Sequence, residues 1–148
     1  MESILTVQTI GYDKLNQLRH VKYLQNKEHT LEVMKRHAEV MLPKFRCVLE
    51  MLETEIEPLD IATWQKPKGG YFVSVNTVPG LAKRTLALCK AAGVTMTGAG
   101  ATFPYGKDPQ DSNLRIAPSL PPVEELNKAM EVLTICLKLS ALEKLLNK

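Results

Sequence analysis

Residues 111–119 read DSNLRIAPS, and the alternation inside them decides the fold. In a short strand, Leu114 and Ile116 fall on one face while Asn113, Arg115 and Ala117 fall on the other. Arginine keeps its charge and is costly to bury without a partner. The strand therefore has one dry face and one face that must meet something polar. The chain then runs through Pro121 and Pro122 into a helix. Proline suits the first helical position, and Glu124 and Glu125 suit the positive end of the helix dipole. Val123, Leu126, Met130, Leu133, Leu137, Leu142 and Leu145 supply the apolar face of that helix.

Upstream, KPKGGYFVSVN (66–76) holds a strand in which Tyr71, Val73 and Val75 alternate with Phe72, Ser74 and Asn76. Gly69 and Gly70 permit a turn or a close backbone approach. LAKRTLALCKAAG (81–93) is a helix with Ala82, Leu86 and Cys89 on one stripe and Gly93 as its C-terminal cap. VTMTGAG (94–100) is expected to be a further strand. The loop GATFPYGKDPQDS then leads back to NLRIAP. EPLDIATW (57–64) is a connection into an edge strand. A long helix is expected from about Glu28 to Ile56, striped by Leu31, Met34, Ala38, Met41, Phe45, Val48, Leu52 and Ile56. Pro43 should kink or break it near Leu42. Residues 9–27 contain a short helix starting after Asp13, with Leu15, Leu18 and Val21 on one face.

The order is two helical segments, then β-α-β-loop-β-α. The fold class is α+β: a small, mainly antiparallel sheet of three to four strands with helices on one face, preceded by a long kinked helix. Residues 1–27 form an N-terminal segment for inter-domain or dimer contact, and 28–148 form the domain proper. If Leu114 and Ile116 face the helices, Arg115 faces away from them.

The totals exclude several functions. A chain of 148 residues, 45% apolar and 24% charged, has the size and core of one ordinary domain. A net charge of +3 without a Lys/Arg tract does not suit nucleic acid. No apolar run reaches the length of a membrane span. MESILTVQTIGYDK has neither the basic start nor the apolar stretch of a signal peptide, so a cytoplasmic location is expected. Cys47, Cys89 and Cys136 are odd in number, far apart and in helical patterns, which suits buried thiols in a reducing compartment. No metal site is expected: His29 and His37 are eight residues apart and His20 is in another segment.

Four stretches in order carry a resemblance: KPKGGYFVSV, then a helix, then AGVTMTGAGATFPYG, then NLRIAPSLPPVEELNKAMEVL. Together they resemble the C-terminal small domain of class I/II aminotransferases, pyridoxal-phosphate (PLP) enzymes of the aspartate-aminotransferase fold type. IGYDKLNQLRHVKYL is similar to a bacterial subgroup described as aspartate aminotransferases. The resemblance covers about Thr9 to Leu146. It implies that Arg115, in the pattern Asn-x-Arg-Ile, binds the substrate α-carboxylate. A guanidinium suits that role, because its planar fork grips a carboxylate through parallel hydrogen bonds. It also implies that Asn113 sets the strand end and that Gly70, Tyr71 and Phe72 line the substrate side of the cleft. Thr102 and Tyr105 are candidates near the active-site mouth. From the residues alone, the first reading of Arg115 is a structural ion-pair partner of Asp108 or Asp111, at least one of Tyr71 and Phe72 is core, and loop polar groups face water.

The same resemblance implies what must come from elsewhere. The cofactor lysine, the aspartate on the pyridine nitrogen and the phosphate cradle belong to a large domain upstream. None of Lys66, Lys68 and Lys107 matches the lysine, and each is expected in solvent. The chain is therefore read as a fragment, inactive alone and binding no PLP. In the full-length enzyme it works with the cofactor, an amino acid or 2-oxo acid substrate, the large domain and a second subunit. No catalytic residue is assigned within it. Apolar surface is expected on 9–24 and 28–56, favouring a homo-oligomer. The main rival is a free-standing α+β module that binds an amino acid for regulation. A helix-mediated interaction protein is a second, since the stripes at 28–56 and 123–145 could serve partners instead of a core.

Overall fold

The computed structural model describes residues 13–146, so the expectations for residues 1–12 lie outside it. The chain divides into two compact units, Met1–Glu39 and Val40–Lys148. In the first, Asp13 starts helix α1 (Lys14–Leu24) by accepting the Asn16 N–H through its side chain at 2.9 Å. Asn26 does the same for the next helix, accepting the His29 N–H at 2.9 Å. Leu15, Leu18 and Val21 share a face of α1 as their spacing dictates, and all three are exposed.

Helix α2 (Lys27–Glu55) is continuous, with Pro43 inside it. Of the kink or break expected near Leu42, the break does not occur. Proline removes a single N–H from the ladder, and the turns on either side keep theirs. The C-terminal part of the predicted stripe is core: Val48, Leu52 and Ile56 are buried. Leu31 and Met34, at its other end, are exposed.

A three-stranded antiparallel sheet forms the centre of the second unit, in the order β1 (Ala62–Trp64), β2 (Val73–Thr77), β3 (Asn113–Ile116). Its register sets Val73 opposite Ile116, Ser74 opposite Arg115, Val75 opposite Leu114 and Asn76 opposite Asn113. Val73, Val75, Leu114 and Ile116 are buried in one cluster with Val48, Leu52 and Ile56 of α2 and with Leu126, Met130, Leu133 and Leu137 of the last helix. The opposite face carries Thr63, Ser74, Asn76, Asn113 and Arg115. The period of two thus separates a dry face from a polar one, as the sequence requires.

Residues 94–100 form no strand. The element order is therefore α-α-β-β-α-β-α. Gly93, at φ +89°, ends helix α3 (Ala82–Ala91) in a Schellman turn: its N–H bonds Lys90 O at 3.1 Å and Val94 N–H bonds Cys89 O at 2.8 Å. The chain then leaves the sheet plane and returns to it only at Asn113. Alternation of Val94 and Met96 with Thr95 and Thr97 reads as a strand, but no partner ladder is offered to it.

Helix α4 (Val123–Leu146) begins after the proline pair, with Leu126 N–H bonded to Pro122 O at 2.9 Å. Its buried face differs from the expected one near the C-terminus. Ser140 and Ala141 are buried, whereas Leu142 and Leu145 are exposed. Small residues there let α3 approach closely. Thr85 donates to Ser140 across the two helices at 3.1 Å, and Arg84 pairs with Glu143 through two bonds of 2.6 and 2.7 Å. Cys47, Cys89 and Cys136 are free and buried.

Candidate functional site

The polar face of the sheet is the only place where the sequence-derived candidates converge among the described residues. Arg115 is half-buried. Its guanidinium lies 4.6 Å over the centroid of the Phe72 ring, a cation–π contact. Its Nη2 donates to Thr97 Oγ1 at 3.2 Å. Its Nε is buried and has no partner. No carboxylate pairs with it among the described residues.

The ion-pair alternative fails because both nearby acids are committed to backbone. Asp108 accepts N–H groups from Gln110 (3.0 Å), Ser112 (2.7 Å) and Asn113 (2.8 Å). Burial pushes its carboxyl up, but the N–H groups of Asn113, Ser112, Gln110 and Asp111 together hold it below the ordinary carboxylate range. Asp111 accepts the Lys83 N–H at 3.0 Å and so caps α3 from a distance. Among the described residues, Arg115 is left as a charge without an acid.

Asn113 is fully satisfied within the protein. Its Nδ2 donates to Ser74 Oγ (3.0 Å) and Asn76 Oδ1 (2.8 Å), and its Oδ1 accepts from Thr102 Oγ1 (2.7 Å). It braces the polar face beside Arg115. Phe72 and Tyr71 are both exposed, so the expectation that at least one packs into the core is wrong. Strand β2 begins only at Val73, and the two rings sit on the turn before it. Gly70, at φ +89°, has open space around its missing Cβ, so conformation rather than crowding calls for glycine there. Tyr105 has a left-handed backbone at φ 58° and is 97% exposed. Lys66, expected free in solvent, pairs on the surface with Glu53 at 2.5 Å.

Thr97, Ser74 and Asn76 were absent from the candidates. Ser74 and Asn76 were legible, since they share strand parity with Phe72 and their register opposes Arg115 and Asn113. Thr97 was not, because its segment reads as a strand.

The fit of a pyridoxal cofactor to these residues is poor. Such a group needs an amine for its aldehyde and an acid for its ring nitrogen. The polar face carries Thr63, Ser74, Asn76, Asn113 and Arg115, and none is a lysine or a carboxylate. No cluster of three or more His, Cys, Asp or Glu is placed to hold a metal among the described residues.

The molecule is thus an α+β layer whose polar sheet face presents an arginine that no carboxylate pairs with among the described residues. Comparison with known proteins gives its family. The model of the aspartate aminotransferase family matches residues 1–148, and the chain belongs to that family. It is 46% identical over 137 residues to an aspartate aminotransferase of Corynebacterium glutamicum, covering 93% of this chain and 32% of that protein. It is similar to the solved aspartate transaminase of C. glutamicum at TM-score 0.85 and 44% identity, covering 96% of this chain and 34% of that one. An α-aminoadipate aminotransferase of Thermus thermophilus, solved with N-(5′-phosphopyridoxyl)-L-leucine, shares the fold at TM-score 0.69 and 23% identity, covering 86% and 31%. The chain thus spans about a third of the length of the relatives it matches.

Proposed function

We propose that this chain is the small domain of a PLP-dependent aminotransferase acting on aspartate and a 2-oxo acid, and that Arg115 binds the substrate α-carboxylate. The observation that carries the reading is the Arg115 guanidinium: outward-facing and, among the described residues, without an acid and with a buried Nε that lacks an acceptor. A buried donor without a partner costs about 1–3 kcal/mol. A site that offers an acceptor to the fork removes that cost, and a carboxylate matches its planar geometry. Phe72 holds one face of the guanidinium and limits water there. Tyr71 and Gly70 place that ring, and Asn113 keeps Ser74 and Asn76 in line beside it.

PLP, bound in the full-length enzyme, supplies the electron sink for amino-group transfer. What this domain does is bind and orient the substrate carboxylate and, by closing, exclude water. The remaining parts of the reading are that residues 1–27 contact another domain or subunit, that 28–148 form the small domain, that the enzyme is a cytoplasmic homo-oligomer, and that this chain alone is inactive and holds no PLP.

The test is Arg115→Lys in the full-length enzyme. Loss of the fork should lower kcat/KM for aspartate by roughly 10–100-fold, the equivalent of losing one charged hydrogen bond. Unchanged kcat and KM would refute the carboxylate role. Treating the chain alone with PLP and borohydride should label several surface lysines weakly. A stoichiometric adduct on one lysine would place the cofactor site in this chain. Tight amino-acid binding by the chain alone would instead favour a free-standing regulatory module.

A further inference from the structure

Residues 94–108 cross the polar face as a strap. Each outward side chain of β3 is held by one of its residues: Arg115 by Thr97 at 3.2 Å, and Asn113 by Thr102 at 2.7 Å. The far end of the strap is fastened to the strand's entry by Asp108, through the Ser112 and Asn113 N–H groups at 2.7 and 2.8 Å. The middle is fastened to itself, since a Cβ on Gly100 would stand 2.2 Å from Gly106 O. A loop so restrained is a rigid support.

The structure assigns Thr97 as a positioning residue: its hydroxyl fixes the rotation of the Arg115 guanidinium so that the free donors of the fork meet a carboxylate on the polar face. This rests on the carboxylate role of Arg115 proposed above. The two contacts on the guanidinium restrain different motions. Phe72 lies against the guanidinium, with Cζ 4.6 Å from the ring centroid, but a ring face allows sliding and spinning over it. Thr97 contacts the edge, at Nη2, and is the only hydrogen-bond acceptor of Arg115 among the described residues. Without it the fork can turn within its plane, and bidentate recognition is lost first because it needs two donors aligned together. The Thr97 bond uses one of the five N–H donors, so four remain, and a bidentate carboxylate needs two of them.

The experiment uses three variants of the full-length enzyme, with the KM for L-aspartate, kcat and the thermal midpoint measured for each. Thr97→Val keeps the shape and removes the hydroxyl. It should raise KM about tenfold while kcat and the thermal midpoint stay near wild type. Thr97→Ser, which restores the hydroxyl, should return KM to within about twofold of wild type. Arg115→Lys separates the two readings. If Arg115→Lys weakens binding and Thr97→Val does not, Thr97 has no positioning role and the assignment is overturned while the Arg115 reading stands. If neither variant changes KM, both readings fail. If Thr97→Val and Thr97→Ser raise KM equally, or lower the thermal midpoint together, Thr97 acts through packing and the assignment is again overturned.

Discussion

Arg115 and Asp108 show how a charge becomes available at a protein surface. Most arginines near acids are neutralised by them. Here the backbone occupies the acid first: Asp108 is taken by three N–H groups from residues 110, 112 and 113. That arrangement has a pH signature. The folded carboxyl of Asp108 titrates below its unfolded value of about 4. Its stabilisation is therefore present above about pH 4 and disappears as pH falls through the folded value. Glu143 behaves likewise, held down by its hydrogen bonds to Arg84 and then by the Arg84 charge, against burial. Stability should fall on acidification below pH 4, and Asp108→Asn should flatten that limb when unfolding is followed by circular dichroism against pH. A variant curve parallel to wild type would show that Asp108 does not titrate with folding. Gly100 offers a second check. At φ +86°, with Gly106 O in the way, Gly100→Ala should cost about 1–3 kcal/mol from conformation alone, with the clash in addition. Urea unfolding measures it, and a loss under 0.5 kcal/mol would mean that the strap relaxes freely.

At the level of elements, strands β2 and β3 and helices α3 and α4 were legible because each keeps one period throughout. Val73, Val75, Leu114 and Ile116 alternate, and Leu126, Met130, Leu133 and Leu137 recur every three or four residues. Failures came where a neighbouring element decided the outcome. Leu142 and Leu145 obey the helical period but lie outside the core, because α3 packs against the small Ser140 and Ala141 instead. Residues 94–97 alternate correctly, but strand identity needs a partner, which no local pattern records. The α3–α4 contact is also where the thiols are inert. Burial, then the neighbouring Cys136, pushes the Cys89 thiol up to about 12. Cys89 should resist an aromatic disulfide reagent at pH 8 until denaturant is added, and labelling at the rate of a free thiol would contradict its burial. Leu137→Ala, which opens a cavity in the shared core, should lower stability by about 2–5 kcal/mol by denaturant titration.

At the scale of the whole molecule, more apolar surface is exposed than one closed domain needs. Leu15, Leu18, Val21, Leu31 and Met34 were foreseen from their stripes. Ile135, Leu139, Leu142 and Leu146 were not; they form a second stripe on α4, each three or four residues from the last and all exposed. The chain should therefore self-associate as its concentration rises, and a monomeric sedimentation profile over a hundredfold range would argue against this. None of its described helices is long and apolar enough to cross a membrane. The sheet adds a constraint on how such a chain can change length. Side chains of β3 alternate between a dry face and a wet one, so one residue inserted between Asp108 and Asn113 would carry Arg115 into the core and Leu114 out of it. At the exposed tip around Tyr105, an inserted residue shifts nothing in the strand. Lengthening is thus harmless on one side of Asp108 and ruinous on the other: the carboxylate that fastens the strap also counts residues for the strand.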